Sequence, residues 1–209
     1  MLTNVRQPMQ EPAERSRGEL VTRWLQCDGD AYRFASSIEP AAYGAFNLVV
    51  GDFHARVWLW LGNRDPSAPH SAKATVLHHR ALGAGIYGLS NASLDTPWPK
   101  TQRLKTALAD SLATAGNWLS PLSDALTHDQ PVHDLELPHT GVPTDLERSL
   151  SSPFVRMADR AYGTRTSQVV SLQAHTKGFA VTVHEWTHDP AVSVSSLVPE
   201  DARVETLEW

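Results

Sequence analysis

The chain has 209 residues, 41% of them hydrophobic and 20% charged, with a formal net charge of −5 at pH 7. This is ordinary globular usage at a length that suits one domain of about 100–200 residues, and the mild acidity excludes a broad basic face for nucleic acid. A single cysteine, Cys27, excludes an internal disulfide and a cysteine-based zinc site. No apolar run approaches the roughly 20 residues of a bilayer span, and residues 1–17 lack the apolar centre of a secretory leader, so a cytoplasmic location is expected.

Residues 1–15 read as an extended stub and a loop, because Pro8 and Pro12 oppose helix. Ser16 with Glu19 fits a capping box, and Leu20, Val21, Trp24 and Leu25 recur at helical spacing, which predicts a first helix over 16–27. Asp28-Gly29-Asp30 breaks it, and Asp30 is placed to cap a second short helix ending before Pro40. The period then changes to that of strands. Residues 45–50 and 54–61 flank Gly51-Asp52 and predict a β-hairpin. Val57, Leu59 and Leu61 would share one face and Arg56, Trp58 and Trp60 the other, with both faces partly covered. Residues 62–73 read as a loop, 74–77 as a short strand and 86–91 as another strand.

Pro97 and Pro99 open the longest helical pattern, in which Leu104, Leu108, Leu112 and Ala115 share a face and Gly116 is the stop. A further helix is predicted over 119–127 and a loop over 128–143. Thr144 with Glu147 fits a second capping box. Residues 166–174 and 179–184 alternate about Lys177-Gly178, with Val170 and Leu172 apolar, and 204–209 form a last strand. The order of elements is that of an α+β fold with a mainly antiparallel sheet, a single domain over residues 1–209.

Several segments carry a resemblance. They are Leu2-Thr3-Asn4-Val5-Arg6 and Ser16-Arg17-Gly18-Glu19-Leu20-Val21, then Phe46-Asn47-Leu48-Val49-Val50-Gly51-Asp52. Ile86-Tyr87-Gly88-Leu89-Ser90-Asn91-Ala92 leads into Leu94-Asp95-Thr96-Pro97-Trp98-Pro99-Lys100, and Tyr162-Gly163-Thr164-Arg165-Thr166-Ser167 comes last. In this order and spacing they resemble the NRDE family, the transport and Golgi organisation protein 2-like group, over nearly the whole chain.

The resemblance implies an αββα sandwich similar to N-terminal-nucleophile hydrolases. In those enzymes a processed N-terminal Cys attacks an amide and its own α-amino group, with a pKa of roughly 7.7–8.0, takes the proton. Asn side chains help bind the developing oxyanion. In full-length relatives the Cys, the Asn-Arg-Asp-Glu motif and a Gly-rich Trp segment all precede the Leu-Thr-Asn strand. Here Met1 falls just before that strand. The expectation is therefore a domain missing its first strands, without a complete catalytic site, whose uncovered edges favour self-association. Asn63-Arg64-Asp65 is read as turn chemistry and not as a substitute for the motif.

By order of motifs, Asn4 and Asn91 fall on the oxyanion side of such a site, although Asn at strand ends also serves turns and caps. Tyr87, Ser90 and Trp98 are candidate ligand contacts in the same block, with core packing as the other reading of the two aromatics. Arg165 is either an anchor for a carboxylate or phosphate or an ordinary ion-paired arginine. Arg156 is read as structural and Cys27 as a small buried residue. No metal site is expected: His78 and His79 would point to opposite faces of a strand, and His128, His133 and His139 lack zinc spacing. The resemblance implies handling of a small acid-bearing ligand, either haem or an acyl thioester or related lipid, without catalysis. The alternatives are an amidohydrolase, if the native chain is longer and begins with Cys, and an incomplete domain without function of its own.

Overall fold

The computed structural model describes residues 1–9, 12–70, 76–114, 116–176, 178–189, 194, 196–198 and 201–208. The chain divides into two compact units, Met1–Lys105 with Pro138–Glu147, and Thr106–Leu137 with Arg148–Trp209.

The first unit is built on an antiparallel sheet in the order β1 (Leu2–Asn4), β2 (Phe46–Asp52), β3 (Val57–Gly62), β4 (His78–Ala81). Leu48 pairs with Leu61 and Val50 with Leu59. These side chains are buried against Leu20 of α1 (Gly18–Gln26) and Phe34 of α2 (Ala31–Ser36). The other face carries Asn47 and Trp60, both buried as well. Trp58 is its more exposed member and lies over Gly51, where any Cβ would collide with the indole. The hairpin with two covered faces is thus as the alternation indicates.

Several local expectations are corrected. Gly51 and Asp52 belong to β2, and the turn is made by residues 53–56. The Asp52 carboxylate accepts the N–H groups of His54 at 2.8 Å and Ala55 at 3.0 Å. Asp30 caps α2 as expected, accepting from Tyr32 and Arg33 at 3.0 Å each. At α1, however, the Ser16 hydroxyl accepts only from Gly18, and Glu19 turns to Arg15 and Tyr43, so no capping box forms. Leu25 is 75% exposed, because five residues after the buried Leu20 lies roughly 140° round the helix. The strand expected over 74–77 is found instead as β4, with 71–75 outside the described residues. Residues 86–91 are irregular rather than a strand, held by side-chain bonds described below.

α3 (Pro99–Ala113) buries Thr101, Ala107 and Ser111, while Leu112 is exposed, so the inward stripe is rotated from the leucine row. Ala115 lies outside the described residues, and Gly116 follows with φ +98°. α5 (Thr144–Ser149) opens at Thr144 as expected, but Glu147 turns inward instead of closing a capping box.

In the second unit α4 (Leu119–Leu126) packs Leu119 with Trp186 and Leu197. The short strands β5 (Arg156–Met157) and β6 (Tyr162–Gly163) pair with each other. β7 (Thr166–His175), β8 (Gly178–Thr187) and β9 (Arg203–Glu208) form an antiparallel sheet in that order. Lys177 and Trp209 lie outside the described residues. The buried pair of the β7–β8 ladder is Ser167 with Trp186, whereas the apolar Val170 is exposed. Helices with antiparallel sheets make the chain α+β. Among the described residues no helix is long and apolar enough to cross a membrane.

Candidate functional site

The candidate site lies in the first unit, where the chain leaves β1. From Asn4 to Gln7 the side chains alternate in use. Asn4 and Arg6 engage the 90–98 segment, while Val5 and Gln7 line a cleft. The Thr3 hydroxyl donates to the Ser90 carbonyl at 2.9 Å, and the buried Asn47 amide donates to the Ala92 carbonyl at 2.7 Å. The Asn47 side-chain oxygen accepts from the Trp60 indole N–H at 3.2 Å. The Arg6 N–H donates to the Asn91 carbonyl at 2.7 Å. Residues 90–92 are therefore tied to β1 and β2 largely through polar side chains rather than by a strand ladder. Gly88 allows this segment to approach α3, since a Cβ there would overlap the Thr101 methyl. Asp95 accepts from the Gly88 N–H at 2.9 Å and from Lys105 at 2.7 Å. Burial alone would raise its pKa, but these donors, with the charges of Lys105 and Arg80, hold it below the usual carboxylate value.

Asn4 and Asn91 meet. The Asn91 amide donates to the Asn4 carbonyl at 3.0 Å and to its side-chain oxygen at 3.1 Å. The Asn91 donors are thus engaged within the pair, and the amide that faces solvent belongs to Asn4. Ser90 is half-buried beside them, its hydroxyl 3.5 Å from the Asn91 oxygen. Tyr87 is half-buried under the Arg80 guanidinium, 5.5 Å from the ring centre. Arg165 belongs to the second unit and is exposed, with its carbonyl accepting from His188.

Trp98 is the centre of a charged cluster. The Arg6 guanidinium lies 4.9 Å and the Lys100 ammonium 5.7 Å from its ring, and His70 stacks on it. Arg6 is ion-paired with Glu147, both almost fully buried, and Glu147 also accepts the Thr140 N–H at 2.8 Å and the Thr140 hydroxyl. Burial, helped by the Arg6 charge and opposed by Glu147, lowers Lys100 to about 8. Sequence reasoning gave Arg6 and Lys100 no role and read Glu147 only as a capping residue. The signal that could have found them is the number of charged residues inside otherwise apolar or Pro-rich blocks.

The cleft has a volume of about 220 Å³, and its lining includes Gln7, Arg15, Ser16, Arg17, Tyr43 and Arg64. Residues 13–17 run beside 41–45: Arg15 N–H donates to Ala42 O at 3.0 Å and forms a parallel bridge with Tyr43. Arg17 donates to the Ala45 carbonyl at 3.0 Å. Asn63, fully buried, donates to the carbonyls of Pro40, Tyr43 and Gly44 and accepts from the Phe46 N–H. It thereby fixes the wall, and Arg64, bonded to the Asn63 carbonyl at 2.9 Å, enters the cleft from below the surface. The chain bends at Asn63 and Arg64 as the turn reading has it, but their side chains are buried, and Asp65 accepts from Ser67 and is lowered in pKa by those bonds. Glu19 sits 3.4 Å from Arg15 and 3.3 Å from the Tyr43 hydroxyl, which also accepts from Arg23. The Tyr43 hydrogen bond, then the Glu19 charge, raises the Arg15 pKa.

Among the described residues no group of His, Cys, Asp and Glu is arranged to hold a metal ion. Cys27 is half-buried just past the end of α1, its thiol donating to the Trp24 carbonyl. Arg156 pairs with Asp129 at 3.6 Å.

A family model described as Transport and Golgi organisation 2 matches residues 1–190. A Transport and Golgi organization 2 homolog of Mus musculus is 30% identical over 189 residues, covering 83% of this chain and 63% of the relative. The Homo sapiens homolog is 31% identical over 188 residues with the same coverage. The chain thus spans 63% of the length of these curated relatives.

Proposed function

The chain belongs to the Transport and Golgi organisation 2 family, and on that premise we propose that it holds an amphipathic, acid-bearing small molecule of the haem or acyl-thioester kind without transforming it. The observation that supports this reading is the cleft with three arginines, Arg15, Arg17 and Arg64, on a wall fixed by buried Asn63. Guanidinium groups suit carboxylate and phosphate oxygens because their planar donors match both geometries. The cleft fits an acidic end group and not a porphyrin, since pockets for whole drug-sized ligands hold about 300–1,000 Å³ against about 220 Å³ here. A haem would place only a propionate in it, and no histidine is among the lining residues. The αββα sandwich of N-terminal-nucleophile hydrolases, the single domain and cytoplasmic residence belong to this proposal.

Titration with haem followed by absorbance, and with a long-chain acyl thioester followed by calorimetry, tests the reading. Saturable binding of either to the folded chain supports it, and the absence of both defeats it. The meeting of Asn4 and Asn91 favours one second reading, an oxyanion-side pair in an amidohydrolase of the N-terminal-nucleophile type. Turnover of N-acyl amides that is lost in Asn91→Ala, with the fold intact, would establish it over simple binding.

A further inference from the structure

We infer that the arginine cleft is the seat of a phosphate-type oxyanion, the phosphorylated or diphosphate end of a small molecule, rather than of a lone carboxylate. The inference rests on the ligand-handling reading only in taking the cleft as a place where a ligand sits. Three cationic side chains from two separate stretches of chain converge there, Arg15 and Arg17 before α1 and Arg64 after β3. A single carboxylate is satisfied by one bidentate arginine. A phosphate group carries about −1.5 to −2 charges and three acceptor oxygens, which calls for several donors arranged around one space.

The groups around the cleft are matched to that demand. Arg17 uses one guanidinium donor on the Ala45 carbonyl, out of the five such a group carries. Arg15 stands at the mouth, its side chain 50% exposed, and Arg64 at the floor, 6% exposed. Glu19, shared between Arg15 and Tyr43, is one acid beside them, and Glu39 adds its negative charge near Arg15. The volume of about 220 Å³ holds a head group while the remainder of the molecule projects outward.

The test is calorimetric titration of the whole chain with inorganic pyrophosphate, with acetate as the carboxylate probe and chloride matched for ionic strength. The variants are Arg15→Gln and Arg17→Gln, with Arg33→Gln as a distant surface control. Thermal unfolding reports folding, and if Arg17→Gln is unfolded the exposed Arg15 carries the test. Saturable pyrophosphate binding that neither acetate nor chloride displaces is expected, weakened at least about tenfold in the cleft variants and unchanged in the control. Equal binding of acetate, or folded cleft variants that bind as the parent does, would overturn the inference. If pyrophosphate fails while haem or an acyl thioester still binds, the phosphate assignment falls and the ligand-handling reading stands. If pyrophosphate binds in the cleft and neither larger molecule binds, the assignment stands and that reading falls.

Discussion

In the first unit the central strands β2 and β3 are covered on both faces, and buried polar side chains such as Asn47, Asn63 and Glu147 find partners on irregular segments. In the second unit the longer sheet of β7, β8 and β9 leaves Val170, Val204 and Leu207 at 59%, 49% and 55% exposure. Ser167 and His188 beside it bond each other, 2.9 Å apart, while Ser123 and Ser151 accept from the Leu197 and Val132 N–H groups. The contrast separates two uses of a sheet. The second unit has the longer and more exposed ladder, whereas in the first the ladder is covered on both faces and the buried charged side chains Arg6, Arg64 and Glu147 lie beside it. A polar group buried without its partner costs far more than an exposed one, so the first unit is where single substitutions reach furthest.

The largest expected effect is at Glu147. Glu147→Ala leaves Arg6 buried without its counter-charge and should lose about 3–5 kcal/mol. Chemical denaturation measures the loss, and hydrogen exchange at β2 and β3 amides shows whether it falls in the first unit. A loss below about 1 kcal/mol would mean that water reaches the pair. The double variant Arg6→Met, Glu147→Leu sharpens the point, since it should be less damaging than Glu147→Ala alone.

Asn63→Ala comes next. It orphans the Phe46 N–H and removes the clamp on residues 40–44, for an expected loss of about 2–3 kcal/mol. Pyrophosphate binding should weaken with it, and binding that survives would detach the cleft from its wall.

A smaller effect depends on pH. Lys100 has a folded-state pKa of about 8 against an ordinary 10.5. Between those values the unfolded chain keeps a proton that the folded chain has released, so stability rises with pH through that window. Below it both states are protonated and the cost of burying the charge is constant. The slope is at most about 1.4 kcal/mol per pH unit. Subtracting the profile of Lys100→Met isolates it from the Met1 amine, which burial also lowers. Identical slopes in parent and variant would show that the ammonium stays hydrated.

The smallest effects belong to the second unit. Val170→Thr and Leu207→Thr should each change stability by no more than about 0.5 kcal/mol. A loss above about 1.5 kcal/mol at either would show that this face is covered in solution.

The sequence made much of this readable. The hairpin of β2 and β3 followed from strict alternation, α2 from its Asp30 cap, and the β7–β8 hairpin from two alternating runs. Asn4 and Asn91 were named together only through the resemblance, and their contact came from the structure. What the sequence missed shares one cause. Ser16, Asn63, Glu147 and residues 86–91 each carry a local signature of cap, turn or strand. In each case a distant partner, or a competing one nearby, took the hydrogen bond that the local motif would have made.

Periodicity and capping chemistry are local, and they determined the α+β class and most helices and strands through the apolar face each must bury. The cleft and the charged cluster at Trp98 were decided only by tertiary structure. Arg15, Arg17 and Arg64, or Arg6, Lys100 and Glu147, are separated along the chain by loops whose paths no local pattern specifies. Their chemistry exists only after buried amides and glycines bring those loops together.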